Sequence, residues 1–489
     1  MSGPDSYDTC TYRSAAYKVG HPDRLATVAT LFGLMPAPVP RCRVLELGCG
    51  DGSHLIPVAF SYPGSAFTGI DLARRPIAAG QAMAEHLGIR NLRLRTGDIL
   101  EVTSDLGEFD YIIAHGVYSW VPLTVQDKVL EICRSNLAPH GVAFVSYNAY
   151  PGSKLKEAAR DFFQHFIRPL DSSPPARARA RDLLGWARRP RPEAGSWNPI
   201  MRQVCEFLGQ QPDTILAHDE MAPEYRPAYF HQFVEHARRH GLQYLGEAEF
   251  FTMNDRWLTP EELRFLRALP GDPLLLREQY MDFLKCRSFR QTLLCRQEEA
   301  VRRDNLHGRA QGLLVGSRLR NVEERPQPAI HTPERFQSPD GSFVSIGSPP
   351  AKRLLKRMEN EWPRRLPVCT LASEDFPARN VGELLVELFG MGLIELQTHW
   401  LPYVSRPGLY PEASLLARLQ LDRRSQVTSR EYADVDLEDP VGQELVRRCD
   451  GTRDRAALLT ALRRLDPDVT AASLENNLRI LADLALLTA

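Results

Sequence analysis

No stretch of the chain approaches the roughly 20 consecutive apolar residues that a membrane-spanning helix requires, and its first residues carry no basic-then-apolar signal pattern. An excess of one charge is missing too. Sixty Lys and Arg face 61 Asp and Glu, a formal net charge of −1, so nothing global draws the protein to nucleic acid or an anionic membrane surface. The nine cysteines contain no C-x-x-C pair, and no histidine spacing is read as a zinc set. No disulfide framework and no metal are therefore expected. These absences leave a cytoplasmic protein with reduced, mostly buried thiols as the expectation.

What is present begins with length. A chain of 489 residues predicts two or three domains, and 43% hydrophobic residues give each enough apolar surface for a core. The chain is organised around Val44 to Gly52. An apolar run, Val44-Leu45-Glu46-Leu47, stops at Gly48-Cys49-Gly50-Asp51-Gly52, and a helix is expected from about Ser53 and His54. Strand, glycine turn and helix N-terminus form a cradle for a nucleotide-type ligand. Glycine permits the turn and lets a ligand approach the backbone. The dinucleotide pattern G-x-G-x-x-G fails at Ser53, and the P-loop pattern fails for want of a lysine. What remains, acidic-x-G-x-G-x-G, resembles the first motif of class I S-adenosylmethionine-dependent methyltransferases.

The following strands support that reading. Ala66 to Asp71 ends in an acid about twenty residues past the glycines, the spacing at which a carboxylate accepts from ribose hydroxyls, although an acid there also caps helices. Leu92 to Ile99 and Phe109 to Gly116 follow with intervening helices, then Gly141 to Asn148. Strand–helix alternation predicts a Rossmann-like, mostly parallel, doubly wound α/β sheet. His115 reads either as a satisfied structural histidine or as a cofactor contact. His21-Pro22-Asp23-Arg24 opens an amphipathic helix, read as packing in front of the first strand. Tyr7, Tyr12 and Tyr17 suit either an irregular start or a flap over the cofactor.

Tyr147-Asn148-Ala149-Tyr150-Pro151-Gly152 and the block from Tyr229 to Ala248, together with His21 to Leu25 and Glu46 to Gly52, narrow the family. The chain resembles bacterial methyltransferases carrying a methyltransferase regulatory domain, a group that includes protein-lysine methyltransferases of outer-membrane proteins. The resemblance implies S-adenosyl-L-methionine as cofactor, held by Glu46, Gly48, Cys49, Gly50, Gly52, Asp71, Leu72, Asp98, Ile99, His115 and Gly116. It further implies a protein substrate and a homodimer, with lysine as the acceptor.

The expected domains are a methyltransferase core over 1–152, a helical regulatory or dimerisation-type insertion over 153–225, and completion of the core by a closing hairpin over 226–300. A linker over 301–340 and a C-terminal α-rich, winged-helix-like interaction domain over 341–489 follow. Prolines and acids break up the arginines at 177, 179, 181, 188, 189 and 191, which fits a solvated helix face better than a nucleic-acid surface. Tyr118, Trp120, Tyr147 and Tyr150 are the candidate walls of a catalytic channel, where aromatic faces attract an amine. A small-molecule or peptide natural-product methyltransferase and a non-catalytic regulatory protein that binds the cofactor are the alternatives.

Overall fold

The computed structural model describes residues 15–166, 174–189, 197–211, 222, 224–256, 258–322 and 332–488. Its first half runs α1 (Pro22–Leu31), β1 (Arg43–Leu47), α2 (Leu55–Ser61), β2 (Ala66–Asp71), α3 (Arg74–His86), β3 (Leu92–Thr96), β4 (Phe109–Ala114), α4 (Leu123–Ser135) and β5 (Leu137–Asn148). Three helices follow, α5 (Ser153–Phe166), α6 (Pro174–Ala187) and α7 (Trp197–Gly209). The chain then returns through α8 (Phe230–Arg239), β6 (Leu242–Glu247), α9 (Pro260–Ala268), α10 (Pro273–Lys285) and β7 (Phe289–Arg296).

The seven strands form one sheet in the order β3-β2-β1-β4-β5-β7-β6. The first five are parallel, while β7 pairs antiparallel with both β5 and β6. This is the expected doubly wound sheet with its closing hairpin. A parallel central strand is covered on both faces, so its side chains are apolar at successive positions. Alternate residues then enter opposite cores. Tyr111 and Ile113 join Val44, Val58 and Phe144 on one face. Ile112 and Ala114 join Leu45, Leu47, Val145 and Phe233 on the other.

Beyond the sheet, α5 to α7 enclose a small core of Ala159, Leu184, Cys205 and Leu208. Arg181 donates to the Gly209 and Gln211 carbonyls, which ties α6 to the end of α7. Arg191 and Glu193 lie outside the described residues.

The stretch expected as a linker over 301–340 is not one in its described part. The strand Leu314–Gly316 is central to a small sheet, pairing with Leu366–Pro367 and Glu395–Gln397. Leu313, Val315, Leu319 and Phe336 are buried with the helices Pro349–Glu361 and Ala378–Gly390. Short strands separated by charged residues hid this pattern, because three residues give no readable period. The chain after 341 divides between two cores. Helices Pro440–Arg448, Arg455–Leu462 and Ala471–Asp483 build the second with a hairpin of Gln426–Thr428 and Asp434–Asp436. No helix among the described residues is long and apolar enough to cross a membrane.

His21-Pro22-Asp23-Arg24 does more than start a packing helix. His21 caps α1 by accepting from the Asp23 N–H, and its ring lies 4.0 Å from Tyr432 and 5.9 Å from Tyr62. Buried Asp23 accepts from the Thr398 and His399 N–H groups and the Thr398 hydroxyl at 2.9, 2.8 and 2.6 Å. Arg24 and Lys18 pair with Glu395 at 2.7 and 3.0 Å. The start of the described chain is thus pinned between the sheet and both C-terminal units.

Candidate active site

The cradle forms where β1 ends. Gly48, Gly50 and Gly52 have φ of 72°, 56° and 73°, the left-handed region that glycine enters without strain. Two of the three also have a packing reason. A Cβ at Gly48 would stand 2.5 Å from Val117 Cγ2, and one at Gly52 2.8 Å from Leu94 Cδ1. The Gly48 and Cys49 N–H groups donate to the Ile70 carbonyl at 2.8 and 3.2 Å, which locks the loop to the end of β2. Cys49 is buried; its Sγ would touch a Cβ at Gly69 at 2.7 Å, which places the thiol against the sheet.

Asp71, at the end of β2, organises the same loop. Its Oδ2 accepts from the Gly50 N–H and its Oδ1 from the Ala73 N–H, both at 2.8 Å. A carboxylate has about four lone-pair positions, so acceptor capacity remains for a ligand. Burial raises the Asp71 pKa, and the three backbone N–H groups around it counter that rise. Leu72 is exposed beside it. Asp98 uses Oδ1 to cap Leu100 N–H at 2.9 Å, and Ile99 is half-buried. The Gly116 N–H donates to Ser146 Oγ at 2.8 Å.

Glu46 is the unusual member. Its side chain is buried, and Oε2 has no hydrogen-bond partner. Burial, reinforced by the Asp71 and Asp51 carboxylates, holds its pKa well above the usual carboxylate value. His115 Nδ1 is likewise buried and without a partner, and burial with nearby His54 pushes that imidazole down to about 4. Buried polar atoms are normally paired, so two orphans in one crevice mark a place for a polar ligand.

Tyr17 closes this crevice. Its ring lies 4.1 Å from His115, and its N–H donates to His54 Nδ1 at 3.2 Å. Ala16 N–H donates to Asp434 Oδ2 at 3.0 Å, and Arg424 reaches Ser53 Oγ at 3.3 Å, so the last unit touches both the strap and the glycine loop. Tyr7 and Tyr12 lie outside the described residues.

The four aromatics singled out in the sequence do not share one channel. Tyr147 is 1% exposed and stacks on Phe233 at 4.1 Å. Tyr118 is also buried, with its hydroxyl 2.7 Å from His236 Nδ1. Strand parity decides this: Val145 and Tyr147 face the core under α8, whereas Ser146 reaches Gly116. Trp120 is half-buried 5.1 Å from Tyr225, with Lys156 Nζ 5.0 Å from its ring. Tyr150 bonds Glu157 and lies 5.0 Å from Tyr229.

Two further aromatic groups lie past the end of β5. Phe289 pairs with Asn148 across the β5–β7 register, and its exposed ring lies 6.2 Å from His115. Tyr150 leads to Tyr229, and Tyr229 stacks with exposed Phe283 at 5.9 Å. Phe289, Tyr229 and Phe283 were not legible as site residues, because only the antiparallel return of β7 and the placement of α8 and α10 bring them to His115 and Tyr150.

Comparison with known proteins identifies the architecture. "Methyltransferase domain" matches residues 38–168, "Predicted methyltransferase regulatory domain" residues 212–296 and "PKMT, C-terminal winged helix domain" residues 410–476. An uncharacterized protein of Rickettsia prowazekii is 32% identical over 235 residues, 48% of this chain and 94% of that protein. The chain belongs to the bacterial class I methyltransferases that carry a methyltransferase regulatory domain. A second uncharacterized protein of the same organism is 35% identical over 299 residues, 61% of this chain but 54% of the relative, so this methyltransferase spans about half of that protein's length. PKMT2 from Rickettsia typhi, solved in complex with AdoHcy, is 24% identical and superposes with a TM-score of 0.86 over 98% of this chain and 100% of that one.

The regulatory-domain match covers α8 to α10 and the closing hairpin, whereas the sequence reading assigned that role to 153–225. The donor set fits the family's cofactor, S-adenosylmethionine. The orphaned Glu46 oxygen suits a cationic or N–H donor, and Asp71 retains acceptor capacity for hydroxyls.

Proposed function

We propose that this methyltransferase methylates lysine side chains of a protein. The observation that carries the reading is the pair of aromatic groups past the end of β5: exposed Phe289 beside His115, and Tyr229 with exposed Phe283 beside Tyr150. A flat amine-bearing chain fits such walls better than a polar metabolite, which would need paired hydrogen-bond groups. The C-terminal match to a winged helix domain described as PKMT agrees with a protein substrate.

Bound in the crevice, S-adenosylmethionine supplies an electrophilic methyl on a cationic sulfur. In this reading Glu46 holds the methionine end, Asp71 the ribose, and Asp98 with Ile99 and Leu72 the adenine. Tyr17 and His115 exclude water from the reacting side. A free lysine has a pKa of about 10.4, so its ammonium must lose a proton before its nitrogen attacks. The apolar walls of Phe289 and Tyr229 favour the neutral amine by desolvating it. The proton leaves to solvent, and in-line alignment supplies most of the remaining acceleration.

Two expected outcomes test these assignments. Cofactor binding is expected to be linked to proton release, because burial raises Glu46 above the usual carboxylate range and a cationic ligand beside it lowers it again. Titration calorimetry in buffers of different ionisation enthalpy measures this; Glu46→Gln abolishes the buffer dependence, and buffer-independent heat in the native protein refutes the role.

The acceptor is tested with methyl-labelled S-adenosylmethionine and a size-fractionated lysate of the native organism. Label on lysine in a discrete protein band is expected. Phe289→Ala and Tyr229→Ala each lower kcat/KM by about tenfold with cofactor affinity unchanged. Label confined to small molecules supports a metabolite methyltransferase instead. Tight cofactor binding with no label supports a regulatory protein.

A further inference from the structure

Helix α8 ends at Arg239, so His236 lies in its last turn and His240 forms its C-terminal cap. They are four residues apart, the spacing that stacks two side chains on one helical face. Asp127 of α4 meets both: its Oδ1 is 2.6 Å from His236 Nε2 and 3.2 Å from His240 Nε2. The three donor atoms all lie within 4.8 Å of one another. None of them belongs to the cofactor crevice or the aromatic groups past the end of β5. His236 is largely buried, whereas the Asp127 side chain is 57% exposed, which leaves an ion a way in from solvent.

We propose that Asp127, His236 and His240 form a binding site for zinc or a similar first-row divalent cation. Two imidazoles and one carboxylate are a donor set that zinc takes, and three protein ligands leave the fourth tetrahedral position to water. Ligation replaces the two Nε2–H groups now shared with one carboxylate oxygen, so binding releases a proton wherever a ring is protonated at both nitrogens. The outer contact is already in place. His236 Nδ1 is 2.7 Å from the Tyr118 hydroxyl, so with Nε2 on the ion the ring proton sits at Nδ1 and points at Tyr118. Arg239 is the neighbouring cation acting on His236, and Arg238 is engaged by Asp272 at 3.3 Å.

The site would fix a buried turn. Tyr118 opens the turn 118–120, two residues beyond Gly116. Ser119 accepts from Asn148 N–H through Oγ and from Arg226 N–H through its carbonyl, both at 2.8 Å. An ion on His236 therefore anchors the loop that separates the end of β4 from α4. The His236-x3-His240 spacing alone is no metal signature; the fold brings Asp127 to it from 109 positions away.

Full-length protein stripped with a chelator and titrated with zinc chloride, by calorimetry and by competition with a chromophoric chelator, tests the site. One zinc per chain and a raised Tm are expected. Asp127→Asn and His240→Ala each weaken binding by at least about tenfold while the circular dichroism stays native. His231→Ala, at an exposed histidine of the same helix, leaves the affinity unchanged. Zinc bound equally by the native chain and both ligand variants, or no binding at millimolar zinc, overturns the proposal and leaves a hydrogen-bonded clamp between α4 and α8.

Discussion

Arg290→Met is expected to destabilise the protein by about 3–5 kcal/mol, the cost of leaving buried charges without their partner. Arg290 lies on β7 and is fully buried. Its Nε and Nη2 donate to the two oxygens of Asp282 at 2.9 Å each, and Nη1 donates to Glu247 Oε1 at 2.5 Å. Nη2 also reaches Glu278 through its carbonyl at 3.1 Å and Oε2 at 3.3 Å. Three buried carboxylates from β6 and α10 thus share one guanidinium, with Arg287 3.2 Å from Asp282 and Arg277 3.2 Å from Glu278 as further partners, and Arg290 holds α10 onto the closing hairpin.

The pH dependence gives the loss a signature. Burial already raises Asp282 to about 6 with Arg290 present. Arg290 is among the groups that hold Asp282 down against burial, so without it Asp282 rises further above its unfolded value. A raised folded pKa contributes stability that is present below the unfolded pKa and lost as pH rises through the folded one. The variant is therefore expected to regain stability between pH 8 and pH 5, measured by urea unfolding across that range. An Arg290→Met loss below about 1 kcal/mol, or one independent of pH, would show that these carboxylates do not depend on the guanidinium.

Asp71→Ala is expected to weaken S-adenosylhomocysteine binding by at least about 100-fold. Each hydrogen bond to a charged group contributes about 1.5–3 kcal/mol, and two to ribose hydroxyls set that scale. The same carboxylate accepts from Gly50 and Ala73, so the empty protein also loses stability as the glycine loop loosens. Titration calorimetry separates the effects from thermal unfolding without ligand. Asp71→Asn keeps an acceptor oxygen and is expected to fall between the two. Native affinity in Asp71→Ala would remove the ribose assignment.

The glycine loop, the acid at the end of β2 and the parallel strands were readable because each rests on local chemistry. A turn with φ above zero selects glycine, and a strand covered on both faces selects a continuous apolar run. The closing hairpin followed from two late apolar runs, although a helical excursion separates them. His21-Pro22-Asp23-Arg24 was readable as a helix start. That Asp23 holds Thr398 and His399 was not, since nothing in either segment announces its partner. The described part of 301–340 is folded and not a linker, which was not readable for a related reason: its strands are too short to show a period, and their burial depends on segments more than fifty residues away.

The aromatics show the division most clearly. The sequence by itself determined that tyrosines and a tryptophan flank the ends of β4 and β5. It did not determine which way they point. Strand parity and the packing of α8 send Tyr118 and Tyr147 into the core, while antiparallel pairing of Asn148 with Phe289 brings a remote ring beside His115. The cofactor class was fixed by sequence because its cradle is one contiguous loop whose backbone angles demand particular residues. The aromatic groups past the end of β5, the contacts of Tyr17 and the Asp127 cluster were decided only by tertiary structure, because each is assembled from side chains on separate elements whose meeting depends on burial and register.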